Sequence, residues 1–285
     1  VRPFGFLEMR ALVGGYSMEE TLRSYAVLGG IPGYWVNFSP KLTAEKNIIR
    51  SIVAVESRLH EEMEVFLERE LREPCVYNTI LSALAGGFYK LNDIYAHTGF
   101  SRAKISVYLK NLMELDLVEK VYSFDTAGRA NAQKGVYRIG NPYVRFYFRY
   151  LFPNQSMLQQ LTPEEFYRRK IAPTYEQYTE ETYCLACREL MGREYRMVGE
   201  WCGKTGNIDI VASEAGGEQI GVACCKWSGK MSYGDYEMLR ASMKKARIRT
   251  TDIRLYCERG FDRQLEKAAG EGKVKLLGIR ESEGH

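Results

Sequence analysis

No run of about 18 apolar residues occurs in this 285-residue chain, so no segment reads as a membrane-spanning helix. The opening residues, VRPFGFLEMRALVGG, lack the apolar core of a secretory signal. They begin on Val1 rather than Met, which reads as a fragment of a longer protein or a processed end. A strong charge bias is also missing. Forty Lys and Arg stand against 36 Asp and Glu, a net charge of +4, which permits a nucleic-acid partner without demanding one. Seven cysteines are an odd number in a large chain, so a disulfide framework is not expected. Reduced thiols and a cytoplasmic location fit better. Cys184 and Cys187 form a CxxC, but no second ligand pair stands at zinc spacing, and the surrounding EETYCLACRELM reads as helix. No GxxxxGK[ST] is present. CGKTG comes nearest, yet Gly199 is one residue too close and the turn joins two strands, so no helix N-terminus would hold a phosphate. ATP hydrolysis by this chain alone is not expected.

A hydrophobic fraction of 45% supports real cores, and the length suits two or three modules. Residues 1–74 read as helical. Ser17 with Glu20 forms a cap, Gly29, Gly30, Pro32 and Gly33 force a turn, and a long pattern runs from Thr43 to Leu71. Ile48, Ile52, Val55, Leu59, Met63, Phe66 and Leu67 would line its buried face. Glu61, Glu62, Glu64, Glu68, Glu70 and Glu73 make the opposite face acidic, a solvated surface and a poor seat for a phosphate backbone.

Residues 75–152 read as a winged helix-turn-helix. Helices are expected over Val76–Ala85, from Leu91 to His97, and from Arg102 to Leu115 behind a Ser101 cap. Strands at 117–124 and 136–139 would flank a polar tip from Asp125 to Lys134. The third helix would be the reading helix, exposing Arg102, Lys104, Ser106, Tyr108 and Lys110. Arg102 and Lys104 could reach bases, and Arg129 and Lys134 in the wing could reach phosphates. The same fold can also serve as a docking module, and Glu114, Asp116 and Glu119 weaken the electrostatic case. The aromatic run NPYVRFYFRYLFPN suits either a base-stacking platform or, more naturally, a packed core helix. Residues 153–173 read as a connector.

Residues 174–285 change character. A long helix leads into strands near 195–201, at NIDIVAS and at IGVACCKW, then a helix from Tyr233, a strand at Asp252–Cys257, a helix near Phe261–Ala269 and a last strand near Val274. This order implies a mixed sheet in an α/β domain, and the whole chain is α+β and multidomain. Asp209 and Lys226 lie on neighbouring strands. Restriction-type nucleases place an Asp, a Glu and a Lys about a divalent metal, the Glu two residues before the Lys so that both share a strand face. That position here is Cys224, a soft neutral thiol and a poor magnesium ligand. Glu180 or Glu181 on the preceding helix could supply another carboxylate.

YAVLGGIPGYW and LREPCVYNTILSALAGG resemble the helical lid of a prokaryotic, largely archaeal-type AAA+ ATPase family. SRAKISVYLKNLMELDLVEK and GVYRIGNPYVRFYFRY resemble its winged helix. GNIDIVA and GVACCKW resemble its terminal domain, called DUF234. The resemblance implies a restriction-endonuclease-like terminal fold and an ATPase core, with its ATP and Mg²⁺, before Val1. The family's terminal domain reads E-I-D-I-V-A and then G-E-x-K-W-like sequence. Asp209 and Lys226 match, whereas Asn207 and Cys224 replace acids. Three functions stay open. The chain is the double-stranded-DNA-binding and effector half of such an ATPase, with cleavage lost. Or it is a metal-dependent nuclease using Glu180, Asp209 and Lys226 with Mg²⁺. Or it is a protein-docking regulator.

Overall fold

A computed structural model describes residues 2–70, 73–125, 135–203, 205–214 and 220–279. Among the described residues no helix is long and apolar enough to cross a membrane. The chain divides into two compact units. The first holds residues 1–4, 8–121 and 134–175, and the second holds residues 5–7, 122–133 and 176–285.

Among the described residues, the first unit is helical apart from one strand pair. Its helix Met18–Leu28 starts where the Ser17 hydroxyl accepts the Glu20 N–H at 3.2 Å. It stops at Gly29, whose φ of 62° falls in the region that favours glycine. Gly30 answers a different need. Its carbonyl accepts the Phe4 N–H at 2.9 Å, and a Cβ built on it would lie 1.7 Å from the Phe4 carbonyl oxygen. The glycines of YAVLGGIPGYW therefore serve one turn and one close backbone approach.

The sequence pattern over Thr43–Leu71 predicts continuous helix, and the structure corrects this. Helix Ala44–Ile48 runs through a wide π-turn, Ile49–Val53, and ends at Ala54, which is extended with ψ of 118°. A second helix, Arg58–Glu70, then begins. The break puts Val55 in water at 48% exposure rather than on the buried face, while Ile48, Ile52, Leu59 and Met63 are buried. Buried His60 bridges the break, with its Nδ1 2.9 Å from the Ile52 carbonyl oxygen. Glu61, Glu62 and Glu73 are exposed. The side chains of Glu64, Leu67, Glu68 and Glu70 lie outside the described ones.

The winged helix follows. Its three helices are Pro74–Ala85, Leu91–Thr98 and Arg102–Glu114. Strands β1 (Val118–Tyr122) and β2 (Gly135–Ile139) pair as the two-stranded wing. The second helix ends in Gly99 at φ 71°, the left-handed cap that turns the chain. Ser101 starts the third by accepting the Lys104 N–H at 3.2 Å. After the wing, helix Pro142–Phe146 and the π-turn Tyr147–Leu151 bury Tyr143, Phe146, Tyr147, Phe148 and Tyr150. Buried rings cannot stack on bases, so the platform reading of this run falls.

The second unit is built on a five-stranded sheet, β3 (Met197–Cys202), β4 (Asn207–Ser213), β5 (Ile220–Lys226), β6 (Asp252–Cys257) and β7 (Lys275–Leu277), in that spatial order. The first two pairings are antiparallel and the last two parallel. Hairpins suffice for the antiparallel steps, whereas helices Tyr233–Ala246 and Arg263–Gly270 carry the crossovers into the parallel ones. CGKTG is part of the β3–β4 hairpin, where the Gly203 N–H meets the Gly206 carbonyl at 2.9 Å. Lys204 lies outside the described residues. Val222, Ile253 and Leu255 pack with Tyr236, Leu239 and Leu265 in the core.

Gly30→Ala tests the close approach. The new methyl has to push the Phe4 backbone away, and overpacking of this kind costs about 1–3 kcal/mol. A lower urea midpoint with an unchanged slope is expected, and an unchanged midpoint would contradict the geometry.

Candidate functional sites

The third helix of the winged helix turns Ile105, Leu109 and Leu112 inward, all three fully buried. Arg102, Ala103, Lys104, Ser106, Val107 and Lys110 are exposed. Three of the five basic candidates are thus on this surface. The other two, Arg129 and Lys134, lie outside the described residues. Arg102 is anchored rather than loose: its Nε donates to Asn92 Oδ1 at 2.9 Å, and its guanidinium sits 4.2 Å from the centre of the Tyr95 ring. The Lys104 ammonium lies 4.8 Å from the Phe100 ring centre and 5.8 Å from that of Tyr108. Lys110 pairs with Glu114 at 3.7 Å, an exposed ion pair of small energetic weight. Tyr108 departs from the expected exposed set. It is half-buried, packs edge-on against Tyr77 at 4.7 Å, and donates its hydroxyl to the Glu73 carboxylate. That hydrogen bond pushes its pKa up to about 12.

In the second unit, a cleft of about 340 Å³ opens between β4, β5 and helix Tyr233–Ala246. Asp209, Cys224 and Asp235 line it, with Asn207, Ser242 and Lys245. Strand alternation brings Asp209 and Cys224 together. Asp209 Oδ2 accepts the Cys225 N–H at 2.9 Å, and the carboxylate is also hydrogen-bonded by the Cys224 thiol. Burial raises the Asp209 pKa, opposed by those two hydrogen bonds and by Arg188. Burial and the neighbouring Asp209 push the Cys224 thiol far up, which keeps it protonated.

Lys226 and Glu180 are engaged elsewhere. Lys226 Nζ meets Asp235 Oδ2 at 2.9 Å, on a carboxylate that also takes the N–H and hydroxyl of Ser232 at 2.7 and 2.8 Å. Glu180, on the long helix Ala172–Met191, caps the end of β5. It accepts the Trp227 N–H at 2.7 Å and the N–H and hydroxyl of Ser228 at 3.0 and 2.8 Å. Asp235 escapes the sequence reading, although Ser232-x-x-Asp235 has the spacing of a capping box. Arg188 and Glu200, paired at 2.6 Å, escape it too.

The chemistry of a divalent-metal site is not met by this set. The Asp209 carboxylate is held by two donors, Lys226 faces Asp235, and Glu180 is spent on backbone amides. Among the described residues no group of three His, Cys, Asp or Glu is placed to hold an ion. The CxxC is partly enclosed, with Cys184 half-buried. Cys187 and Cys225 are buried, and a hydrogen bond with Cys225 raises the Cys184 thiol's pKa well above its usual value. Such thiols are poor nucleophiles.

Residues 78–120 match the family model described as bacterial regulatory protein, arsR family. Residues 147–245 match the DUF234 model, described as archaeal and bacterial proteins of unknown function. The chain carries an ArsR-type helix-turn-helix followed by a DUF234 domain. A relative from Methanocaldococcus jannaschii, the uncharacterized protein MJECL04, is 25% identical over 257 residues. The alignment covers 87% of this chain and 57% of that protein, so the chain spans little more than half its relative's length. The crystal structure of protein VC1899 from Vibrio cholerae aligns with 84% of this chain and 57% of its own, at 11% identity and a TM-score of 0.28. That likeness is too loose to carry an argument.

The raised pKa of Asp209 has a consequence for stability. Its folded value lies above the ordinary 3.8, so just above that pH the folded state holds more protons than the unfolded one. Stability then falls as pH rises through this window, by the cost of ionising a half-buried, partly desolvated carboxylate. Asp209→Asn removes that cost. The variant's stability relative to wild type should grow as pH is raised from about 4 to 7. Urea unfolding at a series of pH values measures it, and a gap that shrinks over this range would contradict the assignment.

Proposed function

We propose that the chain is the double-stranded-DNA-binding and effector portion of a larger AAA+-type ATPase, working in the cytoplasm. On this reading the ATP and Mg²⁺ belong to a core outside these residues. The terminal module is a restriction-nuclease-like fold that has kept its frame and lost cleavage. The observation that carries the reading is the Ser101-capped third helix beside its wing, with Arg102, Lys104 and Lys110 exposed, inside the stretch that matches the arsR model. A helix of this kind seats in the major groove with its first turns nearest the bases. Arg129 and Lys134 are assigned to phosphates from the sequence alone. The diversion of Glu180 and Lys226 from Asp209 disfavours the nuclease alternative.

Labelled duplex titrated at several salt concentrations tests this. Changing Arg129 and Lys134 to Ala should weaken all duplexes alike. It should also flatten the slope of log affinity against log salt by up to about 0.9 for each phosphate left without its cation. Binding that ignores salt, or no binding at low salt by a folded chain, would move the module to a protein-docking role. Plasmid cleavage in Mg²⁺ that disappears in Asp209→Ala would restore the nuclease reading.

A further inference from the structure

The outward crest of the third helix is set by its buried stripe. With Ile105, Leu109 and Leu112 inward, the positions farthest from the core are Ala103, Val107, Lys110 and Glu114, spaced i, i+4, i+7 and i+11. The second half of that crest is polar, and Lys110 and Glu114 pair with each other. The first half is apolar: Val107 is 58% exposed, one turn beyond exposed Ala103. Cations flank it, Arg102 fixed by Asn92 and Tyr95, and Lys104 gathered over Phe100 and Tyr108. The part of the helix that would lie deepest in a groove thus presents methyl groups at its centre, with its charges to the sides.

An apolar crest cannot hydrogen-bond a base edge. Among the groups displayed in the major groove, it complements the C5-methyl of thymine. We propose that Val107, supported by Ala103, is a specificity-determining residue that recognises a pyrimidine 5-methyl group in the major groove. The flanking cations would supply attraction to the backbone independently of sequence. This inference rests on DNA binding by the winged helix and adds what that helix discriminates. Removing one methyl from water is worth about fourfold in affinity.

The test uses the full chain and four duplexes of one length at low salt: alternating A·T, the same with deoxyuridine for thymidine, alternating G·C, and the same with 5-methylcytosine. The methyl is the variable in each pair, while the hydrogen-bonding pattern is held. Binding about fourfold tighter or more to the methylated member of both pairs is expected. Val107→Ala and Val107→Ser should each bring that ratio close to one while binding remains. Val107 is exposed, so both variants should fold, and a thermal melt checks this. Equal binding within both pairs overturns the methyl assignment and leaves DNA binding standing. A preference that survives both variants overturns the role of Val107. No binding to any duplex overturns the DNA reading and this inference with it.

Discussion

Ile105, Leu109 and Leu112 are fully enclosed, and their spacing decides which side of the third helix faces water. Truncating any one of them to Ala would cost about 2–5 kcal/mol, so the helix cannot roll to offer a different face. The cap at Ser101 and the left-handed Gly99 fix where it begins, and Asn92 and Tyr95 hold the first side chain after the cap. A fixed face at the start of a helix is what groove recognition requires. The Tyr108–Glu73 hydrogen bond ties the flank of the same helix to the approach of the first one.

In the second unit the decisive fact is where the carboxylates spend their hydrogen-bonding capacity. β5 presents Cys224 to the cleft and Cys225 to the long helix, an alternation imposed by the pleat. Glu180 reads the backbone at the strand's end, and Asp235 collects Lys226 together with its own helix cap. These hydrogen bonds stabilise the sheet and leave a half-buried Asp209 beside a protonated thiol. The carboxylates of this cleft are thus committed to hydrogen bonds and to Lys226.

Much of this is legible in the sequence because it depends on neighbours in the chain. The Ser101 cap, the helix stop at Gly29, the strand alternation in NIDIVAS and IGVACCKW and the strand-to-strand nature of CGKTG are local signals. The pattern from Thr43 to Leu71 misleads because apolar spacing alone does not register a break. Ala54 leaves the helix at a point where the periodicity continues, and Val55 is carried into solvent. Partner choice is also hidden. Glu180 and Trp227 are 47 residues apart, and nothing at either position shows that the carboxylate turns to backbone amides. Lys226 can be paired with Asp235, nine residues on, only once the strand-to-helix turn is known. Tyr108 reads as exposed because its partner Glu73 lies 35 residues earlier, on an approach that periodicity does not place.

The exposed start of the third helix is the surface proposed to meet DNA. Acetylation of lysine amines, with and without duplex, followed by peptide mapping, tests it at the residues themselves. Duplex at low salt should shield Lys104 and Lys110, the shielding should fade as salt rises, and Lys267 on helix Arg263–Gly270 should label equally throughout. Equal labelling of Lys104 and Lys110 with and without a duplex that is bound would contradict it.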